Sequence, residues 1–152
     1  MLSFKKILAP VDLSEASPKL APYILSMAAK FDAQVHLLFV ARLLQYFTGF
    51  YVPHASIAEF EKFLLDGSQK RLYDFKEEYF NTWPATKATV VIGDISDEIL
   101  KYIDTAGIDL MIMGTHGRKG LDRAVFGSVA ERVIKASSVP VFVVNPYRDQ
   151  TD

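Results

Sequence analysis

Five short apolar runs constrain this chain more than any other feature. They are KKILAPV (5–11), QVHLLFVA (34–41), KATVVIG (87–93), DLMIMG (109–114) and VPVFVV (139–144). Most are nearly continuous and do not alternate, which marks strands covered on both faces, as in a parallel sheet. Between them the apolar period becomes helical. Leu20, Ile24, Ala28 and Phe31 fall on one face of a first segment, where Ser17-Pro18 reads as an N-cap and N1 pair. Ile57, Phe60, Leu64, Phe75 and Tyr79 trace a long second helix, with a break or bend expected near Gly67. Ile95, Ile99, Ile103 and Ala106 trace a third, opened by Asp94 and ended at Gly107. Phe126, Ala130, Val133 and Ser137 trace the last. The order is therefore β-α-β-α-β-α-β-α-β. Right-handed crossovers turn it into an α/β architecture, a doubly wound five-stranded parallel sheet with helices on both faces.

The 152 residues suit one domain, expected over 1–146, followed by a loose polar tail at 147–152. The net charge of −1 gives no global electrostatic case for nucleic acid or an anionic membrane surface. The absence of cysteine excludes disulfides, thiol catalysis and cysteine-bound metals, and agrees with a cytoplasmic protein. No apolar run approaches the roughly 18 residues of a membrane span. The start, MLSFKKILAPVD, reads as a first strand and not as a signal peptide. Pro140 cannot donate to a sheet ladder, so the last strand is expected at an edge or to begin there. A short, apolar, β-branched edge invites a second chain, which points to a homodimer through Val139 to Val144. The alternative is a loop that covers it.

Ligands of doubly wound sheets bind beyond the carboxyl ends of the strands, where strand order reverses. Two strand ends are equipped for this. Asp12 directly follows the first strand, and MGTHGRKGLDRAVFGSVAERV (113–133) follows the fourth. If those strands are neighbours, Asp12 and Gly114 face one crevice. The glycine stretch matches neither G-x-x-x-x-G-K-[ST] nor G-x-G-x-x-G. Its own spacing is Gly114-x-x-Gly117, nine residues, then Gly127-Ser128. Glycine allows close backbone approach, a helix beginning at Ser128 favours an anion, and Arg118, Lys119 and Arg123 add positive charge. A purely structural account stands beside this one. Ser128 and Glu131 spell a capping box, the glycines permit a turn, and Asp12 eases the chain into the first helix.

The stretches ILAPVDLSEAS, MGTHGRKGL and FGSVAERVIKASSVPVFVV closely resemble the universal stress protein family, in order and along the whole chain. The resemblance implies a Rossmann-like fold of the adenine nucleotide alpha hydrolase type. The complete G-x-x-G-nine-residues-G-[ST] motif implies the branch that binds ATP or another adenine nucleotide (ADP or AMP), with or without Mg2+. Carried over by position, Asp12 and the backbone of Ala9, Pro10 and Val40 would contact the adenosine end. Gly114, Gly117, Arg118, Gly127, Ser128 and Val129 would hold the phosphates. The family also implies a homodimer through the last strand, and a nucleotide-responsive sensor or adaptor in stress response. Leu13 stands where many members have glycine, and Val139 where many have cysteine.

Other features are less directive. The aromatic-rich segment 42–60 is a candidate lid or protein-partner surface, or else packs over the sheet end. His36, His54 and His116 lack metal-ligand spacing. His36 reads as a strand residue with a local hydrogen bond, and His116 as a phosphate contact or a turn residue. Trp83 reads as a cap on the core. Phosphoryl transfer requires a metal site and a positioned nucleophile. Neither is evident, so binding with at most slow ATP hydrolysis is expected. A nucleotide-independent interaction module is the alternative.

Overall fold

A computed structural model of the chain describes residues 1–42, 54–116 and 127–148. Strands β1 (Lys6–Pro10), β2 (Gln34–Ala41), β3 (Thr86–Ile92), β4 (Leu110–Gly114) and β5 (Val141–Val144) form one parallel sheet in the order β3-β2-β1-β4-β5. Helices α1 (Ser17–Phe31), α2 (His54–Tyr79), α3 (Ile95–Ala106) and α4 (Ser128–Ala136) connect them in turn. The architecture is the doubly wound one that the apolar runs require.

The central strand shows why those runs are continuous. In β1, Ile7, Leu8 and Ala9 are all buried, yet they serve two different cores. Ile7 and Ala9 join Leu20 and Ile24 of α1 with Leu72 and Phe75 of α2. Leu8 joins Ile99 and Ile103 of α3 with Ala130 and Val133 of α4. A central strand with two apolar faces cannot alternate. The edges are thinner. Pro140 ends just before β5 and its carbonyl accepts from the Met111 N–H at 3.0 Å. On β5 itself Phe142 and Val143 are 40% and 36% exposed.

Helix ends follow local chemistry, with three departures from expectation. In α1 the N-cap is Ala16, so Ser17 is the first helical residue rather than the cap. The Ser17 hydroxyl turns back and donates to Asp12 Oδ1 at 3.0 Å. α2 runs unbroken through Gly67, beside which an added Cβ would meet nothing within 4 Å. The buried stripe through Ser68, Leu72 and Phe75 continues past that glycine, so packing holds the helix where propensity would weaken it. The third departure is at α4 and belongs to the site. α3 behaves as expected. Asp94 caps it by accepting from the Asp97 N–H at 3.0 Å, and Gly107 closes it at φ 67°, a left-handed conformation suited to glycine.

The expected loose tail is docked at its start. Asn145 Oδ1 accepts from the Tyr147 N–H at 3.0 Å, the Tyr147 hydroxyl donates to Glu15 Oε1 at 3.3 Å, and the Lys19 ammonium lies 5.1 Å from the Tyr147 ring centre. Trp83 packs on the core under α1 and donates from Nε1 to the Ala33 carbonyl at 2.8 Å. His36 is buried in β2 between Gln34 Oε1 at 2.9 Å and the Tyr102 hydroxyl at 2.8 Å. Burial, followed by the nearby Lys87 and Lys6 charges, holds His36 below the ordinary imidazole value of 6.5. Among the described residues, no helix is long and apolar enough to cross a membrane.

Candidate functional site

β1 and β4 are neighbours, while the chain leaves β1 toward β2 on one side and β4 toward β5 on the other. The carboxyl ends of β1 and β4 therefore flank the switch point, where the connections diverge and leave a crevice. A cavity of about 310 Å³ opens there. Pro10, Val11 and Asp12 supply one rim, and Gly114, Thr115 and His116 the other. Gly127, Ser128, Val129 and Ala130 at the start of α4 close the far side. Leu38, Val40, Ile95, Ile99 and Met113 form an apolar wall. An apolar chamber with a few convergent polar groups is the usual form of a small-molecule site, and this volume sits at the low end of the range of about 300–1,000 Å³.

The α4 end of the cavity differs from the expected capping box. Gly127 is the N-cap, with extended φ −62° and ψ 147°, and Ser128 is the first helical residue. Among the described residues, no side chain caps this helix. Glu131 instead receives Lys135 Nζ at 2.8 Å, a pairing that holds its carboxyl below the ordinary range. The helix starts at Gly127 because the Gly127 N–H is already tied to the Thr115 carbonyl at 2.9 Å. The first helical bond runs from the Glu131 N–H to the Gly127 carbonyl at 3.0 Å. The N–H groups of Ser128, Val129 and Ala130 precede it and point out of the helix start, with the positive end of the helix dipole.

Gly114 and Gly127 have a demonstrable structural duty. A Cβ on Gly114 would lie 3.2 Å from the His116 carbonyl oxygen, and one on Gly127 3.2 Å from the Thr115 carbonyl oxygen. Both glycines let the chain that follows β4 fold closely on itself. Thr115 anchors this chain from both sides, since its N–H also donates to the Val144 carbonyl of β5 at 2.8 Å. His116 is held by Thr115 Oγ1 at 2.8 Å from Nδ1 and by edge contact with the Tyr147 ring, centre to centre 6.2 Å.

On the β1 side, Asp12 Oδ1 accepts from the Ser14 N–H at 3.0 Å, the Ser14 hydroxyl at 2.6 Å and the Ser17 hydroxyl at 3.0 Å. Leu13, between Asp12 and Ser14, is left-handed at φ 60°. That conformation costs a residue with a Cβ about 1–2 kcal/mol. The opposite wall is braced by Arg132 of α4, which donates to Asp94 Oδ1 at 3.1 Å and also pairs with Asp97 at the start of α3. The Asp97 N–H first, then the Arg132 and Arg42 charges, hold Asp94 below its ordinary 3.8.

Of the residues singled out in the sequence, Pro10, Asp12, Val40, Gly114, Gly127, Ser128 and Val129 line this one cavity. Ala9 sits one step back in β1, fully buried in the core. Gly117 and Arg118, with Lys119 and Arg123, lie outside the described residues, as do residues 43–53 of the aromatic segment. The sequence reading missed the wall residues Ile95 and Ile99, although they belong to the same helical stripe as Ile103. It also missed Ser17 and Thr115. Among the described residues, no three His, Asp or Glu side chains gather as a metal site.

The sequence matches the universal stress protein family over residues 3–145, and the chain belongs to that family. It is 33% identical to universal stress protein MJ0531 of Methanocaldococcus jannaschii over 142 residues, covering 93% of this chain and 82% of that protein. The solved structure of MJ0577, a universal stress protein of the same organism, superposes with a TM-score of 0.81 at 28% identity, covering 99% of this chain and 100% of that one. At lower identity the fold recurs in a universal stress protein from Archaeoglobus fulgidus in complex with dAMP, with a TM-score of 0.56, 16% identity, and coverage of 95% and 100%.

Proposed function

We propose that this chain is an adenine-nucleotide-binding universal stress protein, with ATP, ADP or AMP as its ligand, and that it acts as a nucleotide-responsive sensor or adaptor. The observation that carries the proposal is the start of α4. Three N–H groups at the positive end of a helix open beside a cavity, and among the described residues no side chain caps them. A phosphate satisfies such a group of donors well. The rest of the cavity fits a nucleoside. Leu38, Val40, Ile95, Ile99 and Met113 offer apolar surface for a base, and Asp12 offers an acceptor at the opposite rim. Ser128 lines the cavity one residue past the N-cap Gly127, which favours a role for its hydroxyl toward the ligand. Family relatives solved with cAMP and with dAMP lend support of the same kind. Gly117 and Arg118 belong to the proposed phosphate set through the motif. A Mg2+ accompanying the nucleotide would ride mainly on phosphate oxygens and water.

The proposal includes a homodimer through Val139 to Val144. The open edge of β5, with Phe142 and Val143 exposed, is the supporting observation. Titration calorimetry with ATP, ADP and AMP tests the nucleotide reading. Binding of at least one below the millimolar range is expected, and failure of all three would contradict it.

A further inference from the structure

Residues 144–147 wrap the back of the β4 rim. The Val144 carbonyl accepts from the Thr115 N–H at 2.8 Å. The chain then turns through Asn145, whose Oδ1 accepts from the Tyr147 N–H at 3.0 Å, and through the buried Pro146. This turn delivers the half-buried Tyr147 ring between two elements that flank the nucleotide cavity. On the β4 side the ring meets His116, centre to centre 6.2 Å, with 63° between the ring planes. On the β1 side its hydroxyl donates to Glu15 Oε1 at 3.3 Å, and the Lys19 ammonium lies 5.1 Å from its centre. An edge-on aromatic pair has a preferred geometry, so this contact fixes orientation as well as position. A tail docked for packing alone needs one apolar surface. Tyr147 instead joins both rims of the switch point.

His116 lines the nucleotide cavity, whereas Tyr147 lines a separate cleft with Lys19, Pro22 and Tyr23. We propose that Tyr147 is a positioning residue that acts on the nucleotide site through His116. The inference rests on the nucleotide reading above and deepens it. His116 Nδ1 bonds Thr115 Oγ1 at 2.8 Å, and the Thr115 carbonyl accepts from the Gly127 N–H at 2.9 Å. A ring that holds His116 therefore also holds the turn that sets the start of α4, where the proposed phosphate donors begin. Glu15 and Lys19 keep that ring from swinging away. A rim fixed before the ligand arrives loses less freedom on binding, so the contact with phosphate keeps more of its worth.

The test is calorimetry with ATP on the full chain as wild type, Tyr147→Ala, His116→Ala and the double variant. Tyr147→Ala is expected to weaken ATP about 5-fold. Tyr147→Phe keeps the ring and loses only an exposed hydrogen bond, so it should stay within about 2-fold of the wild type. The route is decided by the cycle: on the His116→Ala background, Tyr147→Ala should cause no further loss. Tyr147→Leu takes the same place in the cycle if Tyr147→Ala fails to fold. Wild-type affinity in Tyr147→Ala overturns the inference, and so does a Tyr147→Phe variant as weak as Tyr147→Ala. An equal loss on both backgrounds also overturns it, since such loosening does not pass through His116. All three results leave the nucleotide reading intact. Absence of any binding to the wild type overturns both.

Discussion

α3 and α4 pack side by side on one face of the sheet, and their beginnings differ in a way that separates stability from function. α3 starts on Asp94, carries Asp97 and Glu98 in its first turn, and receives Arg132 across the helix pair. The Asp94 side chain serves one of its first donors, the Asp97 N–H. α4 starts on Gly127, has no side-chain cap among the described residues, and opens onto the cavity. The same elementary need, to satisfy the first N–H groups of a helix, is met internally in one case. In the other it is left for solvent or a ligand. α3 is also tied to the sheet by the Tyr102 hydroxyl on His36, and so forms a stable wall against which a ligand at α4 can rest.

The contrast is most sharply broken by moving charge into α4. Ser128→Asp places a carboxylate at an exposed first-turn position, where the helix dipole favours it but a phosphate would be repelled. ATP affinity should fall about 100-fold in calorimetry. The melting temperature should hold or rise by about 1 °C. Retained affinity would mean that α4 does not receive the phosphates. The converse change at α3, Asp94→Ala, removes a cap and one partner of Arg132. Thermal unfolding should shift down by about 2–4 °C, with a much smaller change in ATP affinity than Ser128→Asp gives.

Acidity probes the α3 anchor further. His36 is held below 6.5 in the folded chain, so the unfolded chain takes up the proton first as pH falls. Its contribution to stability is fully present above about 6.5 and is lost as pH falls through the lower folded value. Wild-type melting temperature should therefore decline from pH 7.5 to 5, and His36→Gln should flatten that part of the profile even if it melts lower throughout. The smallest expected change is Ser128→Ala. A true N-cap would cost about 1 kcal/mol on this substitution, whereas a first helical residue should leave stability within about 0.5 kcal/mol. ATP affinity should still drop severalfold, through loss of the hydroxyl.

The same pair of helices shows what was legible in the sequence. Asp94 and Gly107 bracket α3 where expected, because both act locally, one through a side-chain acceptor and the other through a left-handed backbone. The S-x-x-E pattern at Ser128 misled for a reason outside the helix. The Thr115 carbonyl captures the Gly127 N–H and sets the helix start one residue early. A similar displacement at Ser17 accompanies the donation of its hydroxyl to Asp12. The five strands were readable because apolar continuity reports burial on both faces, whereas the adjacency of β1 and β4, on which the expected crevice depended, came from the sheet order. The wall of the cavity was not. Ile95 and Ile99 are visible as a stripe, but only the crossing of α3 over the end of the sheet makes them line a site. Leu13 is the least legible residue from its own chemistry, since a leucine rarely adopts a left-handed backbone.

The most direct measurement is an amide NMR titration of the protein with ATP. The account predicts saturable shifts concentrated at the N–H groups of Ser128, Val129 and Ala130 and around Asp12, with those of Asp94 to Asp97 moving far less. Shifts centred on the start of α3, or none at millimolar ATP, would contradict it.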